Sequence, residues 1–382
     1  MRQVPLIDGH NDLPWELRAR FNSSFDSLDI AREQPAVMTD IPRLRAGLVG
    51  GQFWSTYTPS DISHPAREGM AQLDIVHRMV ARYPDAFEWA ETADDVERIH
   101  RAGRIATMAG LEGGHMIENS LALLRAFYRD GVRYMTLTHS ANTDWADAAT
   151  DGLLHGGLTQ FGEEVVREMN RLGMLVDLSH ASDSTVWDVL RVTEAPVILS
   201  HSSSRRFTPH PRNVSDDIAR AVAENGGVIM VNYVLPFIYQ PAYEWYEERD
   251  RLAAALAAAG WDSGEAEDSL ADWEAERPIP RPDLGVVVDH MEHLRDVAGD
   301  DHIGIGSDLD GISMAPEGLE DVSTFPALIA ELLRRGWSDD AARKVIGGNV
   351  LRLMREAEAA AERLRHERAP SLATIAELDE GS

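Results

Sequence analysis

The 382-residue chain has no cysteine, and only one lysine, Lys344. Without cysteine there are no disulfides, no thiolate nucleophiles and no cysteine-ligated zinc. Basic charge is also scarce. The net charge is −28, so the chain repels phosphate backbones and anionic lipid, and nucleic acid is not expected as a partner. No apolar run reaches about 18 residues, and the opening MRQVPLIDGHND has no signal-peptide core. The expectation is a soluble, cytoplasmic protein that does not engage a membrane. Hydrophobic residues at 44%, with 29 Gly and 18 Pro, argue against wholesale disorder and against a fibre.

Eight short apolar runs alternate with helix-like stretches. They are residues 3–10, 47–57, 104–113, 131–139, 173–180, 195–203, 226–233 and 302–311. Each is near-continuously apolar, as befits a strand buried on both faces. Between them, Leu73, Val76, Met79 and Val80 share one helical face, as do Val165, Val166, Met169 and Leu172, with Gly173 as a C-cap. Eight such units predict an α/β fold, a (β/α)8 TIM barrel. A doubly wound sheet would want a Gly-rich turn after its first strand, and here that strand ends in HND. Residues 1–368 read as one barrel domain. A Trp- and acid-rich helical insertion over about 236–285 separates strands seven and eight, with 12 acids against 4 bases in 244–283. Residues 338–368 read as terminal helices and 369–382 as a flexible tail.

The strand tips are where the sequence departs from a plain core pattern. They carry His10 and Asp12, Glu112, His139, His180, His201 and Asp308. In a barrel these tips open into one shared bowl, so residues up to 298 positions apart would converge. His10 and Asp12, two apart on a strand, fall on one face, and a nitrogen beside a carboxylate suits a divalent ion. Alone, the pair equally fits a hydrogen-bonded turn cap. Glu112 follows five apolar or small residues, where an acid is costly to bury unpartnered. A coordinating carboxylate and a salt-bridged loop residue both explain it. His180 and His201 close adjacent strands with the same Ser-His ending, which favours metal over two separate structural histidines. Ser179 and Ser200 lack the G-x-S-x-G elbow of a serine hydrolase. Asp310 precedes Gly311 and reads as a turn former. His139 fits a core or loop histidine as well as a functional one.

If these residues meet, three histidines and two or three carboxylates can hold one or two zinc-like ions. Such an ion lowers the pKa of bound water from 15.7 to roughly 7. A nearby Asp then moves the proton and a His stabilises the oxyanion, which together amount to hydrolysis of a carbonyl-type bond. With Lys344 far from every strand tip, a carbamylated lysine cannot bridge two ions. Any bridge must be a carboxylate, with Glu112 the candidate.

Seven motifs, LIDGHNDLPW, GLEGGH, YMTLTHSANTDWADA, LVDLSHAS, VILSHSSSR, RNVSDD and IGIGSDLDG, occur in order over about residues 4–355. In these the chain resembles the membrane (renal-type) dipeptidase family of zinc peptidases, within the amidohydrolase-like barrels. The resemblance implies a two-zinc barrel that cleaves dipeptides, including those with a D-residue in second place, by attack of a metal-bridging hydroxide. It implies that His10 and Asp12 bind one Zn2+, His180 and His201 the other, and Glu112 both. It makes His139 the group that polarises the scissile carbonyl and Asp308 the proton shuttle. Arg212, otherwise read as a surface residue, becomes the grip on the substrate carboxylate. It also admits a homodimer. The cysteines, secretion signal and lipid-anchor tail of membrane members have no counterpart here, and Asp144 stands where a Pro is common. The other readings are an N-acyl-amino-acid hydrolase or lactonase on the same barrel, and a non-catalytic barrel serving as a binding module.

Overall fold

The computed structural model describes residues 4–379. Among these residues run nine strands: β1 (Leu6–Asn11), β2 (Val49–Tyr57), β3 (Phe87–Trp89), β4 (Ile105–Glu112), β5 (Val132–Thr136), β6 (Leu175–Asp177), β7 (Ile198–Leu199), β8 (Val228–Val231) and β9 (Ile303–Ile305). Neighbours follow the order β2-β1-β9-β8-β7-β6-β5-β4, all parallel, and β2 pairs with β4 to close the ring. Eight strands therefore form the predicted barrel, one from each apolar run. The ninth, β3, was not anticipated. It pairs with the start of β4, from Phe87↔Ile105 to Trp89↔Thr107, whereas β5 joins β4 only from Ala109 onward. β3 thus covers the stretch of β4 edge that β5 leaves free.

The helices pack by the faces read from their periodicity. Leu73, Val76 and Met79 are buried on helix Pro65–Arg82, and Val165, Val166, Met169 and Leu172 on helix Gln160–Leu172. Gly173 ends the latter at φ 89°, a conformation glycine adopts without strain. Inside the barrel Ile7, Phe53, Met108, Tyr134, Leu175, Ile198, Val228 and Met230 form a second apolar cluster. The C-terminal helix Asn349–Glu367 supplies Val350, Leu353 and Met354 to it. Tyr134 owes its place to Gly110: a Cβ there would lie 2.0 Å from the tyrosine ring.

Between β8 and β9 lie the helices Leu235–Ile238, Gln240–Ala258 and Ser263–Glu276, the predicted insertion, followed by Gly285–Ala298. Helix Ser263–Glu276 buries no residue. It is held to its neighbour by Arg249–Glu274 at 2.6 Å and the Trp245–Trp273 ring pair at 5.1 Å. Within the stretch read as a flexible tail, Thr374 caps the turn Ile375–Leu378, and the Asp379 carboxylate accepts from the Phe161 N–H at 3.1 Å. Residues 380–382 lie outside the described part. Among the described residues, no helix is long and apolar enough to cross a membrane.

Candidate active site

The five predicted ligands arrive from four strands. His10 lies within β1 and Asp12 just beyond it, Glu112 ends β4, and His180 and His201 follow β6 and β7. The Glu112 carboxylate is the meeting point. Its Oε2 faces His10 Nε2 at 3.4 Å. Its Oε1 faces His180 Nε2 at 3.3 Å, and His139 and His201 Nε2 at 3.6 Å each. Asp12 lies 3.4 Å from His10 Nε2. Three sets of donor atoms gather within 4.8 Å: His10, Glu112 and His201; Glu112, His139 and His180; and His10, Asp12 and Asp308.

The hydrogen bonds behind the histidines set their tautomers. Tyr134 donates its hydroxyl proton to the Gly9 carbonyl at 3.1 Å, so at 2.7 Å it accepts from His10 Nδ1. Ser200 donates to Asp177 Oδ2 at 2.6 Å, so at 2.8 Å it accepts from His201 Nδ1. Both rings, in their neutral form, therefore present a lone pair at Nε2. That of His10 is buried without a hydrogen-bond partner. His180 Nε2 lies only 3.0 Å from His201 Nε2. With the lone pair of His201 Nε2 aimed there, either the His180 proton or a cation stands between the two nitrogens. Once a cation takes the place of the His10 proton, this donor set of imidazoles about a carboxylate suits a borderline divalent ion such as zinc.

Electrostatics agree. Burial, with Arg212 and neighbouring histidines, holds His180 and His201 well below the usual imidazole range, so both stay neutral. Burial alone would lower His10, yet Tyr134, Glu112 and Asp12 carry it well above that range. Burial would raise Glu112, but His10, His180 and His139 hold it well below the carboxylate range. Burial, reinforced by Asp12 and Glu112 against His10 and Arg212, pushes Asp308 up to about 8. His180 and Asp308 also sit at φ 68° and 66°. Left-handed backbone at non-glycine positions is held only by a surrounding structure that over-determines it. Here Ala149 N–H and the Thr138 hydroxyl grip the His180 carbonyl, and Asp308 N–H binds the His10 carbonyl at 3.2 Å.

A cavity of about 290 Å3 opens over this cluster, lined by Asp12, Glu112, His139, His180, Arg212 and Asp308 among others. Arg212 is 4% exposed and makes no ion pair among the described residues. Among the described residues its guanidinium donates one hydrogen bond, from Nη2 to the His201 carbonyl at 3.4 Å, and its Nε is buried and unpartnered. Phe237 of the insertion flanks the guanidinium at 5.5 Å. A buried guanidinium without a counter-ion, on a cavity wall, calls for an anion from outside. The expectation of a surface residue is corrected here. The 203–214 loop folds back through Arg205–Val214 and Val214–Ser203 backbone bonds, carrying Arg212 inward.

All eight predicted site residues thus share one cavity or its floor. Sequence reasoning missed their supports. Asp177 accepts from Ser179 N–H at 3.0 Å, Ser200 N–H at 2.9 Å, Ser200 Oγ and Thr136 Oγ1. Asp8 likewise binds Ser307 and Gln52. An acid within an apolar strand run, LIDGH and LVDLSH, was the available signal. The serines of the two Ser-His endings serve this scaffold: Ser179 Oγ accepts from His201 N–H at 3.0 Å. Asp177→Asn should lower zinc affinity by about 10- to 100-fold, because the amide cannot accept from all four donors and His201 loses its orientation. Competition with a chelator measures this directly.

A closed parallel barrel with histidines and carboxylates converging at its C-terminal mouth defines a metal-dependent hydrolase of the amidohydrolase type. The comparison of sequences places it further. The chain belongs to the membrane dipeptidase family, peptidase family M19, which matches residues 1–368, and is accordingly a metallo-dipeptidase. It is 42% identical over 371 residues to dipeptidase verJ of Clonostachys rogersoniana, covering 94% of this chain and 85% of that one. It is 40% identical over 370 residues to dipeptidase 3 of Mus musculus, covering 95% and 66%. Its fold is similar to the crystal structure of the probable dipeptidase PvdM from Pseudomonas aeruginosa, with a TM-score of 0.82, 23% identity, and 94% and 96% of the chains covered.

Proposed function

We propose that the chain holds two zinc ions and cleaves dipeptides with a free carboxylate, with either hand accepted at the second residue. The observation that carries the two-ion reading is the split of Glu112, one oxygen toward His10 and the other toward His180 and His201. His10 and Asp12 would hold one ion, His180 and His201 the second, with Glu112 shared. When bound, such ions polarise the scissile carbonyl and lower the pKa of water at the site to roughly 7.

The chain's own groups do the rest. Arg212 takes the substrate carboxylate in its planar fork and fixes the C-terminal residue against Phe237 and Val234. Both neighbours are apolar, so nothing there reads the handedness of the second side chain by hydrogen bonding. His139 turns its Nε2 to the site while Ser140 Oγ meets Nδ1 at 2.9 Å. It donates to the carbonyl oxygen as negative charge grows on it. Asp308 accepts the proton of the attacking water and returns it to the leaving amine.

Zinc-loaded protein assayed on a dipeptide panel in both hands, each beside its N-acetylated form, tests the reading. Cleavage of the free dipeptides is the expected result. Preference for the blocked forms would return the N-acyl-amino-acid hydrolase. Arg212→Ala should raise KM for free dipeptides by about 10- to 100-fold and leave their amides unaffected. Equal binding of free and amidated dipeptides by the parent would refute the clamp.

A second cavity, of about 680 Å3, shares Trp15, Gly311 and Ile312 with the first and is not lined by Arg212. That is the end where the first residue of a bound dipeptide would lie. The expected preference is for large first side chains over alanine, readable as kcat/KM across the same panel.

A further inference from the structure

The catalytic cavity holds a hydroxyl donor to which the mechanism above gives no work. Tyr57 ends β2, and the β2–β4 register sets it directly beside Glu112. Its ring is fixed on two sides. The His139 ring lies at 4.7 Å, tilted by 47°, and the Trp15 ring meets it edge-on at 4.9 Å. His139 is in turn stacked on His180 at 4.3 Å. Tyr57 and His180 therefore clasp His139 between them. Tyr57 lines the cavity, its hydroxyl has no hydrogen-bond partner among the described residues, and it feels the charges of Glu112, Asp12 and Asp61. Burial, with Glu112 and Asp12, pushes it up to about 12, so it keeps its proton across the neutral range.

We propose that Tyr57 is a catalytic residue, whose hydroxyl donates a second hydrogen bond, beside that of His139, to the oxyanion of the tetrahedral intermediate. The layout of the cavity directs it there. Arg212, reached by the 203–214 loop after β7, claims the carboxylate end of the substrate. Asp12 and Asp308, at the ends of β1 and β9, lie on the amine side. The remaining wall is that of β2, β4 and β5, and its free donors are Tyr57 and His139. A carbonyl oxygen turned to that wall meets both. Such a donor forms its best contact only as charge develops, so its contribution falls on kcat rather than on substrate binding. Pre-orientation by Trp15 and His139 spares it reorganisation during the reaction.

This inference rests on the dipeptidase reading above. The test is Tyr57→Phe in zinc-loaded protein, which keeps the ring packing and removes the hydroxyl alone. The expected result is a fall in kcat of about 100-fold with KM within about twofold of the parent. A phosphinate dipeptide mimic, tetrahedral at phosphorus, should bind more weakly by a comparable factor, with zinc content unchanged. Tyr57→Leu, which also removes the ring, should be at least as slow. Parental turnover and phosphinate binding in Tyr57→Phe would overturn the proposal. So would a parental Tyr57→Phe beside a slow Tyr57→Leu, since the ring would then only position His139. A parent that leaves every dipeptide intact would instead bring down the dipeptidase reading, and this inference with it.

Discussion

Glu112→Gln is expected to empty the site of metal and to lower kcat/KM by about 1,000-fold or more. The lost Lewis-acid stabilisation amounts to several kcal/mol. The carboxylate is the one group within reach of all four histidines of the cluster. An amide offers one acceptor oxygen and no charge, so it cannot serve both halves of the site. Ser55 Oγ, which donates to Glu112 Oε2 at 2.8 Å, would keep that bond only if the amide oxygen took the Oε2 place, because an NH2 group cannot accept its proton. Loss of zinc affinity should therefore exceed the 10- to 100-fold typical of groups one step behind the ligands. Stability gives an independent readout. Zinc at about 100 times its Kd should stabilise the parent by about 2.7 kcal/mol, since it binds only the folded form. The variant should show no zinc-dependent rise in Tm. With chelator present it should melt somewhat lower than the parent, because the ionised Glu112, held well below the carboxylate range by His10, His180 and His139, stabilises the fold and an amide does not. A zinc-responsive, active Glu112→Gln protein would refute the shared-ligand assignment.

Most of this site was legible because barrel strands are apolar on both faces. Against that background His10, Glu112, His180 and His201 stand out, and parallel topology sends all their tips to one mouth. The chain carries no such contrast for Arg212. It lies in a polar loop, RNVSDD, and only the folded-back geometry of residues 203–214 turns it inward, so it was reached through family likeness alone. Tyr134 was hidden for the opposite reason: an aromatic in an apolar run looks like core, and it is core, except that its hydroxyl sets the His10 tautomer. β3 escaped notice because three residues, Phe87–Trp89, are too few to show a period, and their pairing depends on the gap that β5 leaves beside β4. The acidic insertion was recognised from its charge. That it reaches back to the cavity through Val234 and Phe237 follows from its attachment just after β8.

Asp308→Asn should keep zinc and substrate yet lose about 100- to 10,000-fold in kcat, the range for removing one general acid–base. Asparagine is the right probe for a backbone reason. Asp308 sits at φ 66°, and asparagine tolerates the left-handed region where most residues do not, so the loop is not strained by the change. The side chain keeps its shape but can no longer accept and return a proton. The pH profile supplies the second criterion. Burial and the nearby Asp12 and Glu112 raise the Asp308 pKa to about 8, and bound cations would pull it down. As a base it works only when deprotonated, so parental kcat/KM should climb with pH through that pKa. In Asp308→Asn this ascending limb should vanish, leaving a residual rate flat across the same range. Arg212 and the metal ligands are untouched, so KM for a free dipeptide should stay within about threefold. Turnover close to the parent's, or an ascending limb that survives the substitution, would move the proton-transfer role to another residue, and His139 would be the next to test.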